Sequence, residues 1–368
     1  MAANPVSKVW TPSWTPSSPT MPLETRPWHR SGRITNNNRD TPMNRRKLLA
    51  TVAALSLLAV TATTSLKAHA QSDKPLKILV GFPAGVSIDV VTRIVAEKLK
   101  DELKRPVIVD NRSGAGGRLA ADLLKSSVPD GNTVMVTPVV VPVLAPMVFN
   151  KLNYDPLVDF APVARVVDFS FALAVPASSP IKTLKDYAAA LKSDAKLAAF
   201  GSPAPGSLPH FFGVMIGHSL DVELTHVPFN GGAALQSAVL GGHVPAGIDV
   251  VSEWQQNAAG GKVTVLATSG AQRSAVMPNV PTFKEQGYPD IVGQGWFGLY
   301  APAKTPADQV EQIARALGKV LARADVRDRL LSMGFEVGGG TPADLRKTMA
   351  EDTRRWGPIV KKSGFRAD

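Results

Sequence analysis

From Lys77 onward, short β-rich runs alternate with amphipathic helical segments. Lys77–Phe82 predicts a strand, and Ser87–Leu103 predicts a helix because apolar residues recur at positions 90, 91, 94, 95 and 99. Strands that are separated by helices pair in parallel through right-handed crossovers. The alternation therefore predicts an α/β fold built on doubly wound layers.

The elements form two series on either side of a Pro-rich segment at residues 138–162. The first series has further strands at 106–110 and 133–137 and a helix at 118–126. The second has strands at 197–200, 223–227, 247–251 and 263–268 and helices at 207–218 and 233–240. Helices at 306–324, 324–333 and 342–360 are expected to return to the first series.

Two β-rich segments, Phe171–Val175 and Trp296–Tyr300, connect the two series. Two crossings predict two lobes joined by a two-segment hinge, with a cleft between them. Lobe 1 is expected to comprise residues 71–172 and 297–368, and lobe 2 residues 173–296.

The formal charge of +11 is concentrated at the start of the chain. Residues 1–70 hold nine basic and two acidic side chains, which leaves an excess of only four basic residues beyond residue 70. A body that is so weakly basic gives little reason to expect a nucleic-acid partner.

A secretory signal peptide is predicted at residues 43–70. Met43–Lys47 is basic, an apolar run follows from Leu48 to Ala62, and Ala68–Ala70 is an A-x-A pattern, so cleavage is expected after Ala70. The apolar run is shorter than the ~20 residues that span a bilayer, which predicts an exported protein and not a membrane-anchored one. Arg45 and Arg46 leave both the general and the twin-arginine export routes open.

Residues 1–42 are rich in Pro, Ser, Thr and Asn and lack helical or strand periodicity. They are either a disordered leader or a non-native extension, with translation starting at Met43. The sequence contains no cysteine, which excludes disulfides, thiolate metal ligands and a cysteine nucleophile.

The two series begin with similar strand-to-helix turns. The first loop, Gly81–Ser87, and the second loop, Gly201–Ser207, share Gly, Pro, Ala, Gly and Ser in the same order with one insertion. Each follows a predicted strand at the edge of an open α/β sheet where ligands bind. Free amides at a helix N-terminus favour anions, so two such loops across a cleft could clamp one.

Motifs for catalysis and for cofactors are not found. No G-x-S-x-G or H-E-x-x-H motif occurs, and Gly114–Arg118 lacks the spacing of a dinucleotide loop, so it is interpreted as a close-approach turn against the first loop. His210 has both a cleft-facing and a structural interpretation, whereas His226 is interpreted as structural. These observations favour a binding protein without enzyme activity, metal or cofactor.

Several short motifs, in order, resemble one family, the periplasmic solute receptors of tripartite tricarboxylate transporters, also called the Bug family. The resemblance covers residues 75–368. Its motifs are Gly81–Gly85 with Asp89 and Arg93, Asn111–Gly117, Pro129–Gly131, Tyr154–Pro156 with Asp159–Phe160, Gly201–Ser202 with Gly206–Ser207 and His210, Pro228–Gly231, Pro278–Thr282 and Ala301–Pro302.

The resemblance implies a type II periplasmic-binding-protein fold. It further implies two lobes that close on a small carboxylate and deliver it to transporter membrane subunits. Carried onto this chain, it implies a ligand-binding set: Phe82, Ala84, Gly85, Val86, Ser87, Asp89, Thr137, Ser202, Ser207, His210, Asn230 and Asp249. A monomer is expected.

Two roles within this set stay open. Ser87 either caps its helix or donates to a carboxylate oxygen, or does both. Asp89 would repel an anion, so it is expected to orient a water, to accept from loop amides or to pair with Arg93.

Two positions depart from the family pattern. Val86 stands where a glycine is common, and Asn230 stands where a lysine is common. The missing cation predicts a monocarboxylate or an amphipathic acid rather than citrate. Two other functions stay open: an orphan ligand sensor that signals to a membrane partner, and an α/β enzyme that acts on a carboxylate.

Overall fold

The computed structural model describes residues 74–367, and the predicted leader and signal peptide lie outside these residues. The strands are β1 (Leu76–Val80), β2 (Val107–Asn111), β3 (Thr133–Pro138), β4 (Phe160–Pro176), β5 (Ala199–Ser202), β6 (Thr225–Pro228), β7 (Gly247–Val250), β8 (Val263–Thr268), β9 (Gln294–Pro302) and β10 (Glu336–Gly339). The main helices are α1 (Ser87–Leu103), α2 (Arg118–Ser126), α3 (Leu184–Ser193), α4 (Leu208–Ser219), α5 (Gly232–Leu240), α6 (Val251–Ala259), α7 (Ala307–Ala322), α8 (Ala324–Ser332) and α9 (Pro342–Ser363).

The predicted α/β fold is confirmed, and the parallel pairing holds within each series. β1 pairs in parallel with β2 and with β3, and β5 pairs in parallel with β6 and with β7. The connecting strand β9 adds antiparallel pairing, because it runs antiparallel to β3 and to β4. The strands follow the order β2-β1-β3-β9-β4-β7-β5-β6, with β8 and β10 also paired to β4.

β4 connects the two parts of the sheet. Its first half pairs with β9 and β10, and from Phe171 onward it pairs with β7 and β8. The strand is 17 residues long, whereas only its Phe171–Val175 part was identified from sequence. It is buried along most of its length because its side chains are predominantly apolar on both faces. The chain thus passes from one series to the other near Ser170–Phe171, while the lobe boundaries stay a prediction.

α1 shows how the apolar pattern positions the first loop. Val91, Ile94, Val95 and Leu99 are buried against the sheet, and the helix also packs against α7. Burying a large aliphatic side chain contributes about 1.5–3 kcal/mol relative to exposing it. This packing holds the N-terminus of α1 at the end of β1.

α9 packs against α4, an element of the second series, as well as against β4. Trp356 contacts Phe212 with ring centroids 5.1 Å apart, and Trp296 Nε1 donates to Asp352 Oδ2 at 2.7 Å. Beyond the helix, Phe365 packs edge-on against His210. The C-terminal segment therefore contacts both series.

Candidate functional site

The first loop leaves the carboxyl end of β1 and leads into α1. Its neighbour β3 ends with Thr137, which is 1% exposed, and β1 and β3 are in register from Lys77 with Thr133 to Val80 with Val136. Parallel strands bring their carboxyl ends to one edge of the sheet. The structure therefore places Thr137 at the same edge as the first loop.

Asp89 anchors the first loop through a hydrogen bond from the Gly85 amide. Its Oδ2 accepts from the Gly85 amide at 2.8 Å and from Arg93 Nε at 2.9 Å, and its Oδ1 accepts from Asn111 Nδ2 at 2.9 Å. Burial acts to raise the pKa of this carboxyl, which is 2% exposed, but the three hydrogen bonds outweigh burial and hold the pKa below its ordinary value. Asp89 is thus an ionised anchor that accepts from a loop amide and pairs with Arg93.

The N-terminus of α1 has no side-chain cap. Val86 is the N-cap residue, in an extended conformation with φ −75°, and no side chain bonds to the amides of the first turn. Ser87 is the first residue of the helix, so its hydroxyl does not serve as the N-cap that the sequence left open. The amides of Ser87, Ile88 and Asp89 have no intrahelical acceptor and can bind an anion.

The remaining residues of the first loop differ in which groups are exposed and which are already hydrogen-bonded. Gly85 needs its glycine, since φ is +87°, but its amide is already bound to Asp89. Ala84, Val86 and Ser87 are exposed, Val86 at 40%, and so add an apolar surface and a hydroxyl. Phe82 is half-buried, and its carbonyl accepts from Asn111.

The Gly114–Gly117 turn lies directly behind the first loop, as predicted. A methyl group on Gly81 would lie 2.5 Å from Gly117 Cα, and one on Gly117 would lie 3.0 Å from the Phe82 ring. Val141, in a π-helical turn at Val140–Leu144, closes the other side of Gly117. The approach of two backbones explains why glycines occur at both positions.

The second loop uses its polar groups within itself. Ser207 caps α4 by accepting from the His210 amide, and its hydroxyl donates to the Ala204 carbonyl at 2.6 Å. His210 Nδ1 accepts from the Gly206 amide at 3.1 Å, and Ser202, which is buried, lies 2.7 Å from His226 Nε2. Ser202, Ser207 and His210 therefore shape this loop through internal contacts.

His226 belongs to this cluster, although the sequence pattern indicates only a structural role for it. Its ring stacks on His210 with centroids 3.8 Å apart, and burial lowers the pKa of both histidines to about 4. His226 lies on β6 and is paired with Phe200 of β5, whereas Ser202 is paired with Pro228, two residues further along β6. The sequence signal that could have indicated this contact is a histidine on β6, the strand that pairs with the strand of Ser202, β5.

Asn230 and Asp249 lie around the start of α5. Asn230 is exposed in the loop that precedes the helix. Asp249 follows the end of the β5–β7 pairing and is 4% exposed. A methyl group on Gly232 would lie 2.9 Å from Asp249 Oδ2, so this carboxyl faces the N-terminus of α5.

Two cavities of about 480 Å³ and 530 Å³ lie between α4 and α9, away from the first loop. His218 and Lys362 border both of them, and Lys362 Nζ lies 2.8 Å from His218 Nδ1. Within residues 74–367, no group of three His, Asp or Glu side chains is arranged to hold a metal ion.

Residues 91–365 match the family described as "Tripartite tricarboxylate transporter family receptor". The chain is 33% identical over 327 residues to a Cupriavidus necator protein named "UPF0065 protein in gbd 5'region", covering 88% of this chain and 99% of that protein.

Solved structures show the same likeness. The periplasmic binding protein BugD superposes with a TM-score of 0.66 at 27% identity, over 80% of this chain and 99% of that one. MatC from Rhodopseudomonas palustris with bound malate superposes with a TM-score of 0.66 at 30% identity, over 78% of this chain and 98% of that one. The fold is that of the periplasmic binding proteins, and the chain belongs to the receptor family of the tripartite tricarboxylate transporters.

Proposed function

We propose that this protein is an extracytoplasmic solute receptor that binds a small organic carboxylate and delivers it to the membrane subunits of a tripartite tricarboxylate-type transporter. The observation that carries the proposal is the uncapped N-terminus of α1, held in place by the buried carboxylate of Asp89. Family membership and the malate bound to MatC agree with it.

The physical basis is the set of free amides at Ser87, Ile88 and Asp89. These amides point out of a helix N-terminus, where the helix dipole favours negative charge. Because Asp89 neutralises Arg93 and fixes Gly85, the loop is preorganised before the ligand arrives. The Ser87 hydroxyl is free to donate to the same carboxylate.

The ligand is proposed to be less charged than citrate. Asn230 offers a neutral amide in place of a cation, and Val86 presents an exposed apolar side chain beside the anion site. An acid with an apolar body fits these two neighbours better than a compact tricarboxylate.

The site of action is proposed to be the periplasm, after removal of the signal peptide at Ala70. Among residues 74–367, no helix combines the length and apolar composition needed to cross a membrane. We further propose that the receptor acts as a monomer, without cofactor, metal, nucleic acid or catalysis.

Calorimetry tests this function with the protein from residue 71 onward and five acids: benzoate, hexanoate, adipate, malate and citrate. We expect at least one of the first four to bind more tightly than citrate. Ser87→Ala should weaken that binding, and Ser126→Ala, at an exposed position at the C-terminal end of α2, should not. Binding of citrate alone would contradict the proposed ligand class, and binding of none would contradict the receptor function.

A further inference from the structure

The segment 364–367 follows α9 and covers part of the second loop. Gly364, with φ 66°, ends the helix, and Phe365 comes directly after it. A methyl group on Gly206 would lie 2.5 Å from Phe365 Cε1, and the Phe365 ring packs edge-on against His210 with centroids 5.3 Å apart. Because the Gly206 amide donates to His210 Nδ1, the Phe365 ring lies against both partners of this hydrogen bond.

The same segment is hydrogen-bonded to the Pro-rich segment between the two series. Arg366 Nη1 donates to the Met147 carbonyl at 2.7 Å, and the Ala367 amide donates to the Val148 carbonyl at 2.9 Å. Arg366 and Ala367 are exposed, whereas Phe365 is half-buried. Three consecutive residues therefore join the second loop to Met147 and Val148.

These two carbonyls belong to a short helix, Ala145–Val148, which continues the π-helical turn Val140–Leu144. Val141 in this turn lies beside Gly117, the residue behind the first loop, since a methyl group on Gly117 would be 3.1 Å from Val141 Cγ2. Tyr154 also holds the turn, because its buried hydroxyl donates to the Val141 carbonyl at 3.0 Å. A continuous series of contacts thus runs from the first loop through segment 364–367 to the second loop.

We propose that segment 364–367 couples the two loops during carboxylate binding, and that Phe365 is the residue that positions the second loop. The inference rests on the proposed function, in which the first loop holds the carboxylate. Close-packed groups do not deform freely, so a shift of the second loop moves the Phe365 ring and the backbone attached to it. The hydrogen bonds of Arg366 and Ala367 are exposed to water, so this end of the segment releases before the half-buried ring does.

The titration of His210 tests the positioning role without a ligand. Burial lowers the pKa of His210 to about 4, and the Phe365 ring is one of the groups that cover it. We expect Phe365→Ala to raise this pKa toward the ordinary value of 6.5, and Phe365→Leu, which keeps an apolar cover, to leave it low. NMR of the histidine rings in the protein from residue 71 onward measures the shift. The titratable side chains stacked on His210 or bordering the same cavity stay the same in both variants: His226, His218, Asp221, Glu223 and Lys362.

Amide spectra of the ligand-free protein test the coupling. Phe365→Ala should shift the amide resonance of Gly117, which lies at the far end of the series of contacts. Ala367→Pro removes the amide that donates to the short helix and should shift the amide resonance of Gly206. Lys361→Ala is the control, because Lys361 is exposed in the last turn of α9, and it should shift neither resonance.

Calorimetry with the same five acids connects the coupling to carboxylate binding. For each acid that binds the unaltered protein, we expect Phe365→Ala to weaken binding about fivefold, as for a residue that acts through a coupled contact. Phe365→Leu should recover most of the loss, and Lys361→Ala should leave the affinity unchanged.

The outcomes distinguish this inference from the function on which it rests. An unchanged His210 pKa in Phe365→Ala, or amide shifts confined to residues 201–211 and 361–367, overturns the inference while leaving carboxylate binding intact. Equal affinities of Phe365→Ala and the unaltered protein for an acid also overturn it. If none of the five acids binds the unaltered protein, the receptor function fails, and the coupling in carboxylate binding fails with it.

Discussion

The loops that lead into α1 and α4 share a sequence pattern, but they differ in which of their amides are free. At α1 the N-cap is Val86, and the helix start is open. At α4 the N-cap is Ser207, Pro209 has no amide proton, and the His210 amide is bound to Ser207 Oγ. In the second series the helix starts without a side-chain cap are those of α5 and α6, and the Gly231 amide at the start of α5 donates to Pro203 of the second loop. A Gly-Pro-Ala-Gly-Ser pattern identifies a turn, and the residue at the N-cap decides whether the turn can bind an anion.

The largest expected effect on the free energy of unfolding comes from adding a methyl group to the first glycine of each loop, which tests how closely other atoms pack behind it. Gly81→Ala places a methyl group 2.5 Å from the Gly117 backbone, whereas the nearest atoms to a methyl group at Gly201→Ala belong to the side chains of Leu235 and Phe229. Since backbone cannot rotate away, we expect Gly81→Ala to lower the free energy of unfolding by about 3 kcal/mol and Gly201→Ala by clearly less. Urea denaturation of both variants measures the difference, and equal losses would contradict the close-approach interpretation.

Asp89→Asn removes the charge that organises the first loop. One carboxylate oxygen becomes a donor that faces either the Gly85 amide and Arg93 or the side-chain amide of Asn111, so we expect a loss of about 2 kcal/mol in stability and weaker carboxylate binding. Asp325→Asn is the control, because Asp325 makes exposed ion pairs with Arg323 and Lys98 and should change stability by less than about 0.5 kcal/mol. Equal effects at the two positions would show that Asp89 is not an anchor.

The second loop should be sensitive to acid through its histidines. The folded pKa of His210 and of His226 is lowered to about 4, below the ordinary value of 6.5, so the unfolded chain binds more protons between these values. Stability is then fully present above pH 6.5 and falls as pH drops toward 4. Replacing both histidines with Gln should flatten this part of a thermal-stability profile, and an unchanged slope would assign the loss to other groups.

The smallest effects compare the two serines of the shared pattern. Ser207→Ala removes a helix cap and should cost about 1 kcal/mol. Ser87→Ala removes a hydroxyl that caps nothing and should leave stability within about 0.5 kcal/mol. Thermal unfolding of the two variants tests the comparison, and a larger loss for Ser87→Ala would reverse the assignment of the open and closed loops.

Local pattern was sufficient to predict most elements of the fold. α1 and α2 begin and end where the sequence predicted, because their apolar spacing and flanking glycines mark them clearly. β10 and α3 were not predicted; β10 is four residues long and depends on pairing with β4, a long-range contact that periodicity does not report. The full length of β4 was not predicted for a related reason, since the strand pairs with β9 and β7 in two parts of the sheet, and such long-range pairing is not visible in local sequence patterns.

The candidate site was less predictable than the fold. Asp89 and the Gly114–Gly117 turn could be interpreted correctly because their partners lie nearby in sequence or in a recognisable motif. The contact between Ser202 and His226 joins residues 24 positions apart on paired strands, so the sequence did not indicate it. The burial that perturbs Asp249 depends on packing from α5 and α6, which single-sequence patterns do not contain.

The most direct test of the central claim is an amide NMR titration of the protein from residue 71 onward with benzoate, hexanoate and adipate in turn. We predict that ligand addition shifts the amide resonances of Ser87 and Ile88, whose N–H groups are free, and changes the Gly85 resonance less, because its N–H is bound to Asp89. Shifts confined to His218 and Val222, beside the cavity between α4 and α9, would contradict the claim that the first loop holds the carboxylate.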